Sequence, residues 1–152
     1  MKAITIRQPW ATLIALGEKR LETRSWQTKY RGPIAIHAGK TMDIEYCEYP
    51  PIKRALQKHG IKNEDLPVGV VIATAELVEC HLVPNELSDA GIEFGKKLKG
   101  DELYFGDFMD GRYAWELNTV KVLSNPVPAK GKLSLWEWNE SLLKENVQKG
   151  IT

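Results

Sequence analysis

The stretch Gly17-Glu18-Lys19-Arg20-Leu21-Glu22-Thr23-Arg24-Ser25-Trp26-Gln27-Thr28-Lys29-Tyr30-Arg31-Gly32 is the densest polar segment of the chain. Glycine accepts a left-handed conformation, so Gly17 ends a preceding helix and lets the chain turn sharply into a strand. Lys19 then sits at the mouth of that turn. Side chains two apart on a strand share a face, so Glu22 and Arg24 project together and Leu21 and Thr23 project to the other side. A carboxylate beside a guanidinium fixes its fork, which can then clamp a phosphate or carboxylate in bidentate fashion. Trp26 and Tyr30 offer planes on which a base can stack, a contact worth about 1–3 kcal/mol per base. The plainer alternative is an exposed sheet face with cross-strand ion pairs and two core aromatics.

Working outward, residues 3–7 alternate as a first strand, with Ile4 and Ile6 on one face. Pro9 falls where a first helical residue needs no N–H, and Trp10, Leu13 and Ile14 follow at helical spacing. Past the polar segment, residues 32–38 read as a strand with Ile34, Ile36 and Ala38 facing one way and His37 the other. Residues 43–48 predict a short helix stopped by Pro50-Pro51, and residues 52–59 a second helix closed by Gly60. The apolar run 68–82 predicts a long strand that bends or bulges, and residues 85–97 read as weakly helical. Residues 112–123 predict a strand or bent pair, Pro126 and Pro128 an extended crossing, and Gly131 a turn. Residues 133–138 close the strands, and a polar helix follows. Regular βαβ alternation is missing, so the expected class is α+β: a small mixed or antiparallel β-barrel with peripheral helices.

A chain of 152 residues fits one domain, taken as residues 1–140 with a helical tail at 141–152. The net charge is only +1, yet residues 1–40 carry four Lys and four Arg against Glu18 and Glu22. Such a basic first quarter is a candidate footprint for an anionic partner. No apolar run approaches the ~20 residues that span a bilayer. Cys47 and Cys80 form no CxxC pair and read as reduced thiols of a cytoplasmic protein. His37, His59 and His81 are too scattered for a zinc site, so neither metal nor cofactor is expected. No phosphate-cradling glycine loop and no nucleophile elbow is present in the sequence.

Gly17, Lys19, Glu22 and Arg24 spell GxKxxExR, which resembles the signature of the ASCH (activating signal cointegrator homology) domain family. The flanks are similar too: Arg7-Gln8-Pro9-Trp10-Ala11 before the first helix, Arg24-Ser25-Trp26, Thr28 and Arg31-Gly32 after the motif, and Pro126-Val127-Pro128, Gly131 and the Trp-rich last strand. The resemblance covers roughly residues 1–138. It implies a PUA-like fold and a cleft that binds RNA or another nucleic acid, or a modified nucleoside or nucleotide. A monomer is expected. Carried onto this chain, the cleft is expected to hold Lys19, Glu22, Arg24, Trp26, Thr28 and Arg31, with His37 and Lys40 close enough to reach it.

Some bacterial relatives instead hydrolyse acetylated cytidine with a Lys, a Thr and a Glu. Their Lys matches Lys19, but the position of their Thr is Glu22 here. Their Glu corresponds to Glu76, Glu79 or Glu86. For catalysis by Lys19, its pKa has to fall by about three units from ~10.4, at a cost of about 4 kcal/mol. Arg20 and Arg24 push it down, whereas Glu22 pushes it back up. Glu22 as base with Lys19 stabilising an oxyanion is an alternative arrangement, and a ribonuclease another. The stretch 96–110 is a candidate cover for the cleft.

Overall fold

The structure, a computed structural model, describes residues 1–84, 98 and 100–143. Among these residues six strands form one sheet in the order β2-β5-β4-β3-β1-β6. They are β1 (Lys2–Gln8), β2 (Leu21–Arg24), β3 (Gly32–Met42), β4 (Val70–Leu82), β5 (Tyr113–Pro128) and β6 (Leu135–Glu137). Only β1 and β3 pair in parallel; the other neighbours are antiparallel. The architecture is therefore α+β with a mixed sheet. A side chain helps curl it. Arg24, on edge strand β2, donates through Nη2 to the Thr5 carbonyl of β1 at 2.9 Å, far away in sheet order.

The alternating apolar positions account for the core. Ile4, Ile6, Ile34, Ile36, Ala73, Ala75, Leu77, Trp115 and Leu117 form one cluster against Ala11 and Ile14 of α1 (Trp10–Ala15). Adjacent Leu13 faces a second cluster with Ile52, Ala55 and Leu56 of α3 (Pro50–Lys58), Cys47 of α2 (Ile44–Cys47) and Phe105. All six-residue α1 can therefore be held between two apolar layers, which a short helix requires because its isolated form is marginal. Gln8 fastens its start, accepting from Thr12 N at 3.0 Å and donating to the Pro67 carbonyl at 2.8 Å. The opposite sheet face buries Ala3, Ala35, Val71, Trp136 and Trp138.

Several boundaries differ from expectation. Pro50 and Pro51 begin α3 and do not merely stop α2, since first-turn positions need no N–H donor. Pro126 and Pro128 lie inside β5, not in a separate crossing. β2 pairs with β5 only from Tyr113 to Glu116, so among the described residues no strand pairs with the second edge of β5 at Pro126 and Pro128, where a missing donor is tolerated. β4 does bulge, at three register shifts against β5. The predicted helix at 85–97 lies outside the described residues. Of the expected helical tail, residues 141–143 are helical, with Ser141 N donating to Asn139 Oδ1 at 3.1 Å, and residues 144–152 lie outside the described residues.

His37 has a structural position beneath the last loop. Its Nε2–H donates to the Ala129 carbonyl at 2.8 Å, leaving Nδ1 to accept from the Thr5 hydroxyl at 3.1 Å. Thr5 Oγ1 in turn accepts from Trp136 Nε1 at 3.1 Å. Gly131 passes so close that a Cβ there would lie 2.6 Å from Thr5 Oγ1 and 2.8 Å from His37 Cε1. The glycine is thus required by close approach. Burial lowers the His37 pKa below its ordinary 6.5, partly opposed by the bond to Ala129. The unfolded chain then takes up a proton near 6.5 that the folded chain refuses, so stability is full above that pH and falls below it. The loss is expected to approach about 1.4 kcal/mol per pH unit until the folded-state pKa is reached. Urea titrations at about pH 7.5 and about pH 5.5 check it against the linkage relation. His37→Asn should lose less stability between them than the wild type, and equal losses would refute the assignment.

Candidate ligand-binding cleft

A cleft of about 840 Å³ opens beside the carboxyl-terminal half of the parallel pair β1 and β3, where residues 39–41 form an irregularity between the Ile6–Ala38 and Gln8–Met42 pairings. Its walls come from Thr5–Arg7, Glu22–Trp26, Gly39–Thr41, Tyr104–Asp107 and Lys132–Ser134, with Trp10, Asp43, Tyr46 and Arg112. The 3-10 helix Glu102–Phe105 and the turn after it form one wall. The expected cover at 96–110 thus contributes Tyr104, Phe105, Gly106 and Asp107, while residues 96, 97 and 99 lie outside the described set.

The motif residues divide into two layers. Glu22 and Arg24 stand on the wall together, as their spacing on β2 dictates. Glu22 Oε2 accepts from Arg24 Nε at 3.0 Å and lies 2.9 Å from Nη2. Lys19 lies beneath them, with its side chain wholly shielded from solvent, and is not a wall residue. Its Nζ donates to the carbonyls of Leu21 at 2.5 Å and Phe105 at 2.8 Å and stands 3.8 Å from Glu22 Oε1. Burial depresses the Lys19 pKa; Glu22 and Glu102 push it back up, and Arg24 adds to the depression. Buried Glu102 accepts from Arg20 N at 2.6 Å through Oε1, while its Oε2 has no hydrogen-bond partner among the described residues. Desolvation raises the Glu102 pKa, with the Arg20 amide and Lys19 opposing it. Lys19 and Glu102 together strap residues 102–105 to the motif. Thr23 adds a third tie by accepting from Asp107 N at 3.0 Å.

Trp26 lines the cleft and packs edge-on against buried Trp115 at 4.7 Å, which limits its freedom to tilt. Trp10 and Tyr46 contribute a second aromatic pair with centroids 5.0 Å apart. Lys40 is exposed on the wall. Arg7 and Lys132 join it there, and among the described residues none of these three cations has an ion-pair partner. Arg112 differs, because Asp107 holds it at 3.5 Å.

The structure does not bring Thr28, Arg31 or His37 to the wall. Thr28 accepts from Tyr30 N and Arg31 Nη1, and Arg31 is paired outside with Glu79 at 2.8 Å. The Cys80 amide and Arg31 hold the Glu79 carboxyl below its ordinary range. Neither Glu76 nor Glu79 lines the cleft, and Glu86 lies outside the described residues. Arg7 and Trp10 were visible as part of the Arg7-Gln8-Pro9-Trp10 segment, but Tyr46, Tyr104 and Lys132 carry no local signal. Among the described residues no three His, Cys, Asp or Glu side chains gather to hold a metal ion, and no helix is long and apolar enough to cross a membrane.

A single mixed sheet whose motif strand, first strand and last loop line an open cleft defines a small α+β domain. Residues 4–127 match the sequence signature of the ASCH domain, and the chain belongs to that family. It is 26% identical over 151 residues to human activating signal cointegrator 1, covering 97% of this chain and 24% of the human protein. The mouse protein of the same name is 35% identical over 80 residues, or 51% of this chain and 14% of its own length. The chain thus spans at most about a quarter of these relatives. The crystal structure of ASCH from Zymomonas mobilis superposes with a TM-score of 0.55 at 18% identity, covering 99% of this chain and 92% of that one. A point variant of the same protein gives 0.54 at 17% identity over 99% and 93% of the chains. The fold is accordingly the PUA-like one of ASCH domains.

Proposed function

We propose that the cleft binds single-stranded RNA. The observation that carries this reading is the grouping of Arg7, Lys40 and Lys132, none with an ion-pair partner among the described residues, with Trp26 and Trp10 in one concavity. Cations along a groove follow phosphates, and aromatic faces take unstacked bases. Family membership supports it. Arg24 adds a held guanidinium between the two. The position of Lys19 favours binding over lysine-dependent deacylation, because its ammonium serves two backbone carbonyls behind the wall.

The test is fluorescence anisotropy with an RNA of about eight nucleotides across a salt series. Neutralising three or four phosphates gives a log–log salt slope of roughly 2–3. The combined variant Arg7→Ala, Lys40→Ala and Lys132→Ala should reduce that slope by about 2. Lys53→Ala, whose lysine pairs with Glu48 on the outside of the helical layer, should leave it unchanged. Equal effects of the two proteins would reject the cleft as the binding face. Cleavage of the RNA during titration would replace simple binding by nuclease action.

A further inference from the structure

We infer that Glu22 and Arg24 select the base, favouring a pyrimidine that carries an exocyclic amine over one that carries a carbonyl in its place. This rests on the RNA-binding reading above. The argument comes from which atoms of the pair are already used. Arg24 spends Nε and Nη2 on Glu22 Oε2 and Nη2 again on the Thr5 carbonyl. Its Nη1, with two N–H donors, has no protein acceptor among the described residues. Glu22 spends Oε2 on Arg24, while Oε1 has only the Lys19 ammonium at 3.8 Å, beyond hydrogen-bond distance. Both side chains line the cleft beside Trp26.

The wall therefore presents one open acceptor next to one open donor group, held rigid from behind. Cytosine matches this pattern along one edge, with the N4 amine donating to Glu22 Oε1 and N3 or O2 accepting from Arg24 Nη1. Uracil offers a carbonyl where cytosine has its amine. An ionised carboxylate accepts only, so it cannot satisfy that oxygen and repels it. Uracil N3–H can still reach Oε1, but then a carbonyl flanks the carboxylate on each side. Phosphate contacts do not distinguish the two bases, so the preference belongs to this pair alone.

The experiment compares octamers of cytidine and of uridine, which have the same ring size and backbone charge. Cytidine should bind about 10-fold more tightly, the discrimination typical of one good base contact. Replacing cytosine by 2-pyrimidinone, which lacks only the amine, should remove most of that advantage. Glu22→Gln retains an oxygen for Arg24 and should narrow the ratio to roughly 2-fold while leaving the salt slope in place. Equal binding of both octamers would overturn the selection while leaving RNA binding intact. A preference that survives both the pyrimidinone exchange and Glu22→Gln would also overturn it. Failure to bind either octamer would remove the RNA-binding reading itself.

Discussion

Lys19→Met is expected to lower unfolding stability by about 3 kcal/mol, the largest effect of any single substitution at the motif. Two opposing contributions set that size. Removing the ammonium leaves the carbonyls of Leu21 and Phe105 without this donor, at about 1–3 kcal/mol each if buried and unmatched. It also removes one of the two cations beside Glu22, although Arg24 remains bonded to that carboxylate. In the other direction, methionine has no charge to desolvate, and the desolvation of Lys19 is the main cause of its depressed pKa. The carbonyl losses exceed that relief because the two carbonyls lie in segments far apart in sequence that Lys19 joins. Chemical denaturation measures the change. RNA affinity of the still-folded variant separates holding from touching: a loss under about 5-fold fits a residue behind the wall, since a direct charged contact is worth about 1.5–3 kcal/mol. A stable variant that no longer binds would place the ammonium on the ligand instead.

This distinction was not legible in the chain. Period-two spacing was enough to put Glu22 and Arg24 on one face, because strand geometry is local. The partner that buries Lys19 is the Phe105 carbonyl, 86 positions away, and no local pattern announces it. His37 alternates away from Ile34 and Ile36 much as a site residue would, yet that second face is also packed, by Thr5, Trp136 and the loop through Gly131. Thr28 and Arg31 follow the motif in sequence but leave the cleft, because the chain turns toward β3 and Arg31 finds Glu79. The α+β class was readable from the strands because each apolar alternation survives in the sheet. The parallel pairing of β1 with β3 was not, since it depends on α1 and β2 leaving room between successive partners. Proline misled at two places for one physical reason: a missing N–H is harmless both in a first helical turn and on a strand edge that no described strand pairs with.

Arg24→Ala is expected to weaken RNA binding by roughly 30- to 150-fold, the equivalent of about 2–3 kcal/mol for a charge-assisted contact. Three losses coincide at this residue. The open Nη1 donors disappear from the wall. Glu22 keeps its carboxylate in the cleft without the guanidinium that offsets it, and so repels phosphate. The bond from edge strand β2 to the Thr5 carbonyl is also lost, which loosens the approach of the two walls. Arg24→Lys retains the charge but cannot span Glu22 and Thr5 with a planar fork, so it should recover only part of the affinity. Arg112→Ala is the informative comparison, because Arg112 also lines the cleft but is committed to Asp107 and to the backbone carbonyls of Asp107 and Thr23. Its loss should cost under about 5-fold if the free guanidinium edge, and not positive charge as such, makes the contact. Equal losses for the two arginines would show that the cleft reads charge alone. A full recovery by Arg24→Lys would show the same, because an ammonium supplies the charge without the fork.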